Sequence, residues 1–223
     1  MTLSAGIALL SGGCGASYQA RSMDLKGTLL VDPSILTPGT GDQMLYRYVN
    51  PKADVKKYTK VMIDPVIISK AAELDAGELE NYQKLANNAF FYLNDEMKKD
   101  YPIVTAPEPN TLRLQMAIID ADSSKPVRNL VSSVVPMSIG ISSVQYAATG
   151  KMTGVGEISG EFRLSDASTG ELLGAALDRR VGGKGAQGIW DTWYNADDAL
   201  KFWAKAARFV LCEKRGGKEC VKP

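Results

Sequence analysis

The chain has no histidine among its 223 residues. That removes the commonest general base and the commonest neutral metal ligand. Ser-His-Asp and Cys-His catalysis are excluded, and so are histidine-containing zinc sites. Net charge is nearly absent too. A formal charge of +1 offers no electrostatic case for nucleic acid, which calls for a basic face. Cysteine is scarce and odd in number: Cys14, Cys212 and Cys220. In an exported protein an odd count leaves one thiol to explain. Apolar residues at 45% and charged residues at 23% are ordinary proportions for a globular protein, and the length is ample for one hydrophobic core.

The explanation for the odd thiol begins at the amino terminus. Residues 3–13, LSAGIALLSGG, are apolar or small and uncharged. At about 11 residues the stretch is too short to span a bilayer as a helix, but it fits the apolar region of a secretion signal. The small residues directly before Cys14 resemble the lipobox of bacterial lipoproteins, whose cysteine receives acyl chains such as palmitate. Ser11 stands where that motif has leucine, and the first basic residue is Arg21. A start upstream of Met1, carrying basic residues, would supply the missing charge. The reading is a lipoprotein signal peptide over 1–13 and lipidation of Cys14. The alternative is a short buried strand or a plain leader. Gly15 rather than Asp follows the cysteine, which favours the outer membrane over retention in the inner one. With Cys14 acylated, Cys212 and Cys220 are free to form a disulfide across EKRGGKE, where Gly216 and Gly217 let the chain fold back. The alternative is three reduced thiols in a cytosolic protein.

Residues 14–58 hold turn residues and short apolar pieces, and read as an extended arm with a strand or two laid over the domain. KVMIDPVIIS, residues 60–69, reads as a buried strand with Pro65 marking a bulge or an end. In the next segment Leu79, Tyr82, Ala86, Ala89, Phe90, Leu93 and Met97 form one helical stripe, and Pro102 cannot continue it. Leu112, Leu114, Met116 and Ile118 alternate with Arg113 and Gln115, as in a strand with one covered face. Ile158, Phe162 and Leu164 alternate with Glu157, Glu161 and Arg163, and Gly170 marks the turn of a hairpin returning over about 172–181. A last helix carries Leu200, Trp203, Ala207, Val210 and Leu211, with Asn195 as its cap and Gly216–Gly217 as its end. The expected fold is α+β: a two-layer sandwich, its sheet mostly antiparallel, with two main helices on one face. The domain is placed at 59–215, with a tail at 216–223.

VNPKADVKKYTKVMIDPVII, NTLRLQMAIIDAD, STGELLGAALDRRVGG and DDALKFWAKAARFVL together resemble the uncharacterised bacterial lipoprotein family called domain of unknown function 3313, over about residues 25–212. The resemblance implies export as a lipoprotein and supplies no catalytic residue. The element order also resembles, in topology only, the periplasmic domains of the curli-secretion lipoprotein, of lipoprotein activators of penicillin-binding proteins, and of the TolB protein. That similarity points toward binding or assembly.

Four features remain as candidate sites. Arg179 and Arg180, beside a glycine-rich loop, could grip an anion or glycan, or could be ordinary ion-pairing residues. Trp190 and Trp193 could stack on a sugar, or close a core beneath the helix start. The uncharged segment 130–150, LVSSVVPMSIGISSVQYAATG, could contact a partner, or pack on the domain itself. Cys212 and Cys220 are the disulfide pair. The expected function is a non-enzymatic outer-membrane lipoprotein, attached to the periplasmic face by the lipid on Cys14 and binding another envelope protein or itself. No cofactor, metal or nucleic acid is expected. A glycan- or anion-binding module is the alternative, and an enzyme would need two convergent buried carboxylates that the sequence does not point to.

Overall fold

The structure is a computed structural model that describes residues 17–20, 22–23, 25, 28–69, 76–119, 132–133, 157–181 and 192–223. In chain order the strands are β1 (Tyr18–Gln19), β2 (Thr37–Pro38), β3 (Tyr46–Val49), β4 (Lys60–Ile63), β5 (Ile67–Ile68), β6 (Ile103–Val104), β7 (Thr111–Ile119), β8 (Ser132–Ser133), β9 (Glu157–Asp166) and β10 (Leu172–Val181). Helix α1 (Ala76–Met97) lies between β5 and β6, and helix α2 (Thr192–Lys214) follows β10.

The strands form one open, mixed sheet with the order β2-β3-β10-β9-β7-β4-β6. Its centre, from β3 through β10 and β9 to β7, is antiparallel. Among the described residues, parallel pairing enters only where β4 and β5 lie beside β7 and where β6 joins β4. The helix between β5 and β6 provides the crossover that a parallel neighbour requires. Pro65 interrupts the run from 60 to 69 as expected. Ile63 pairs with Leu114 whereas Ile67 pairs with Ala117, so four steps on one strand match three on the other. That mismatch is a bulge, placed at a residue with no N–H to offer the ladder.

Both helices cover the same face. Leu85, Ala86, Ala89, Leu93 and Met97 of α1 and Leu200, Trp203, Ala204 and Leu211 of α2 join Leu112, Leu114, Met116, Ile118, Ile158 and Phe162 in the main core. The two helices are also cross-linked by polar groups. Tyr92 donates to Asp197 at 2.7 Å, and Arg208 pairs with Glu96 at 3.7 Å and with Asp100, just past the end of α1, at 2.8 Å. The final helix begins at Thr192, so Asn195 lies within its first turn and is not its cap. Its end is as expected. Gly216 has a φ of 78°. The N–H of Gly217 bonds to the Cys212 carbonyl and that of Gly216 to the Glu213 carbonyl, each at 2.9 Å. This is the Schellman arrangement, which a glycine permits at no steric cost. The disulfide between Cys212 and Cys220 ties the tail back onto this turn, with the two Cα atoms 5.6 Å apart.

The opposite face is not bare. Met23 and Leu36 of the arm are buried with Ala117, Ile119, Ala175 and Leu177 of the sheet, and Leu25, Leu29, Leu30, Val31 and Ile35 pack around them. The arm also supplies β1, β2 and β3 to one side of the sheet. The described arm residues are therefore woven into the fold on both faces: Met23, Leu30 and Leu36 lie away from the helices, whereas Met44, Ala53, Val55 and Tyr58 pack into the helix-side core.

Candidate functional site

Most of the buried charges among the described residues lie in one region: the β9–β10 hairpin, where the arm meets it. Glu161, Asp178 and Arg180 are all buried there. Each is a costly group to remove from water, so each needs a partner.

Glu161 sits in a row across the sheet between Ala117 and Leu177. Its carboxylate accepts three consecutive backbone N–H groups of the arm: Leu29 at 2.7 Å, and Leu30 and Val31 at 3.0 Å each. These are charge-assisted bonds, the stronger kind. Burial pushes the Glu161 carboxyl above its usual range, against the pull of those three donors. The alternation of β9 puts Glu161 on the face away from the helices, and there the arm covers it.

Asp178 lies opposite Gly160 in the hairpin. It accepts from the indole N–H of Trp203 at 2.7 Å and from the side chain of Gln19 at 2.6 Å. The Leu45 N–H is 3.3 Å away. Burial raises its pKa, and these donors oppose the rise. Gly160 is the residue that lets Trp203 approach: a Cβ there would lie 2.9 Å from the indole Cζ3. Phe162 meets the same indole edge-on, with ring centroids 5.5 Å apart.

Arg180 completes the set. Its guanidinium stacks over Phe202 at 3.7 Å from the ring centroid. Its Nε donates to the Ser17 hydroxyl at 3.0 Å, and its terminal nitrogen donates to the Ser17 carbonyl. Ser17 in turn donates from its N–H and its hydroxyl to the Asp198 carboxylate, each at 2.9 Å. Burial pulls the Arg180 pKa down, and Asp178 and Asp198 oppose that by favouring its charged form. Together Arg180 and Asp198 grip the chain at Ser17, with Phe202 backing the guanidinium.

The sequence-derived candidates fall as follows. Arg180 is committed to Ser17 and Phe202. Arg179 is its neighbour on a strand, so the two side chains point to opposite faces and do not converge on one ligand. The Arg179 carbonyl accepts from the Ala20 N–H at 2.8 Å. Trp193 falls in the first turn of α2, whereas Trp190 and Cys14 lie outside the described residues. So does most of segment 130–150, of which Ser132–Ser133 forms β8 against Ile67 and Ile68. At the far end of the domain, a cleft of about 410 Å³ lies between Tyr101, Arg208, Arg215 and the disulfide turn. There Arg215 covers the Tyr101 ring at 4.7 Å. Among the described residues no helix is long and apolar enough to cross a membrane.

Comparison with known proteins adds a family. The family model described as Protein of unknown function (DUF3313) matches residues 26–207, and the chain belongs to that family. No curated protein matches the chain. Among solved structures, a DUF4136 family protein from Bacteroides thetaiotaomicron is similar at 13% identity, with 76% of this chain and 95% of that one covered and a TM-score of 0.40. The PelC dodecamer from Paraburkholderia phytofirmans is similar at 12% identity, with 78% and 96% covered and a TM-score of 0.37.

Proposed function

We propose that this member of the DUF3313 family is an envelope lipoprotein, tethered by acyl chains on Cys14 to the outer membrane and acting there by binding another envelope protein rather than by catalysis. The observation that carries the reading is the pairing of Cys212 with Cys220, which takes two of three cysteines and leaves Cys14 over. A disulfide suits an oxidising compartment. The leftover thiol lies at the end of an apolar stretch fit for a signal. The grip on Ser17 is consistent with a chain whose new terminus would begin at Cys14. The conspicuous buried carboxylates have structural partners: Glu161 holds the arm and Asp178 holds Trp203. That supports a binding or assembly role over acid–base chemistry.

The test is direct. Mass spectrometry of the mature protein should show cleavage before Cys14, added acyl mass, and a mass two hydrogens below that of the dithiol. Cys14→Ser should release the protein from membranes into the soluble fraction. A Cys14→Ser chain that stays membrane-bound, or a native chain that is unmodified at Cys14, refutes the tether.

A further inference from the structure

The grip on Ser17 fixes more than the start of the arm. Only three steps of chain separate Cys14 from Ser17, and a chain spans at most about 3.6 Å per residue. The Ser17 backbone therefore lies within about 11 Å of the Cys14 backbone, whatever path lies between. Ser17 itself is pinned at both ends of its polar inventory: N–H and hydroxyl to Asp198, hydroxyl and carbonyl to Arg180. Next to it Tyr18 pairs with Val181, the last residue of β10. Tyr18 is 51% exposed despite its size.

We propose that the edge of the domain formed by Ser17, Tyr18 and the Val181 end of β10 lies against the bilayer surface, held in that orientation by the Arg180–Ser17–Asp198 latch. The proposal rests on acylation at Cys14, and adds to it a fixed attitude of the domain. The opposite end follows from the strand direction. β10 runs from Leu172 to Val181, and at about 3.3 Å per residue its two ends are about 30 Å apart. The turn at Ser168–Gly170 is thus the membrane-distal end. The helix α2 runs antiparallel to β10, from the latch at Asp198 to Gly216, which approaches Lys56 beside the β9–β10 turn end of the sheet. The Cys212–Cys220 disulfide and its cleft are therefore also distal. A domain held this way reaches partners on the same membrane surface and presents its distal end to them or to the space beyond. It does not search on a long leash.

The experiment uses the full acylated protein in lipid vesicles. Two variants, Tyr18→Cys and Ser168→Cys, carry a fluorophore on the introduced thiol, and the vesicles carry an energy acceptor on lipid headgroups. Transfer from position 18 should exceed transfer from position 168 several-fold. Adding Arg180→Ala should shrink that contrast, because the chain pivots once Ser17 is released. Equal or reversed transfer on protein shown by mass to be acylated would overturn the orientation while leaving the tether intact. An unchanged contrast in the Arg180→Ala background would overturn the latch as its cause. Binding of the Cys14→Ser chain to the same vesicles would instead overturn the tether, and the orientation with it.

Discussion

Glu161 offers the sharpest test of how the arm is held. Replacing it with Ala removes a carboxylate that accepts from Leu29, Leu30 and Val31 and leaves three consecutive N–H groups facing an apolar patch. An unsatisfied buried donor costs about 1–3 kcal/mol. The three donors here are only partly buried, so the low end applies to each. The sum is about 3 kcal/mol, less what is recovered by no longer desolvating a carboxylate. The expected loss is about 2–3 kcal/mol. Glu161→Gln keeps one oxygen acceptor but turns an amide against a donor, so it should cost about 1–2 kcal/mol. Urea denaturation measures the totals. Amide exchange locates them: protection at 29–31 should fall first and furthest, because the damage is to the arm's attachment and not to the helix-covered core. A Glu161→Ala protein within 0.5 kcal/mol of the parent, with those amides still protected, would refute the reasoning.

The same carboxyl predicts a pH dependence. Because burial raises its folded value above the ordinary 4.5, the folded state holds the proton more tightly than the unfolded chain, and stability from this group falls as pH rises from about 4.5 through the folded value. Comparing the native protein with Glu161→Gln across that range isolates the slope; a native protein that gains stability there would show that the three N–H donors outweigh burial. Gly160→Ala should cost about 1–3 kcal/mol by overpacking, since the new methyl meets Trp203 at 2.9 Å and Phe162 at 3.1 Å, and a thermal melt no lower than the parent's would contradict it. Trp203→Phe leaves Asp178 without its indole donor at 2.7 Å; a loss of at least about 2 kcal/mol is expected from the cavity and the weakened carboxylate together, read by urea titration. Reducing the Cys212–Cys220 bond should cost about 2 kcal/mol, as expected for a short closed loop, with the loss confined to the end of α2 in amide exchange.

Much of the fold was legible because it follows local periods. The alternation of Leu112, Leu114, Met116 and Ile118 located the helix-facing side of β7, and the stripe ending in Met97 located α1. The turn at Gly170 and the stop at Gly216 were legible for a different reason: both adopt positive φ, at 74° and 78°, which glycine alone takes freely. What escaped was non-local. Alternation puts Glu161 on the face away from the helices, yet its neighbours across the sheet there are Ala117 and Leu177. The signal was there in β10, where Ala175 and Leu177 pack on the arm side while Leu173 and Ala176 pack on the helix side, the mark of a strand covered on both faces. The arginine pair was misleading for a simpler reason. Adjacent strand residues diverge, and the partner of Arg180 is Ser17, at the other end of the chain. The start of α2 at Thr192 overrode the capping preference of Asn195, a weak local bias.

These non-local contacts share a direction, and that direction bears on where the folding unit begins. Glu161 reaches residues 29–31, Asp178 reaches Gln19 and Leu45, and Arg180 reaches Ser17. Each is a buried charge in the hairpin whose partners, in whole or in part, belong to the arm. A fragment starting at residue 59, the boundary that composition suggests, would keep all three charges and lose the groups that satisfy them. It would also lose β1, β2 and β3 from the sheet and uncover Ala117, Ile119, Ala175 and Leu177. Glu161 would return to water, but Asp178 and Arg180 stay beneath α2 with fewer partners, and the uncovered apolar patch loses about 25 cal/mol for each Å² returned to solvent; together these losses approach the whole stability of a typical domain. The fragment 59–223 should therefore fail to fold, whereas a chain starting at Ser17 should melt cooperatively. A cooperative, native-like melt of 59–223 would show that the arm is an accessory laid on a finished domain and not part of the unit that folds.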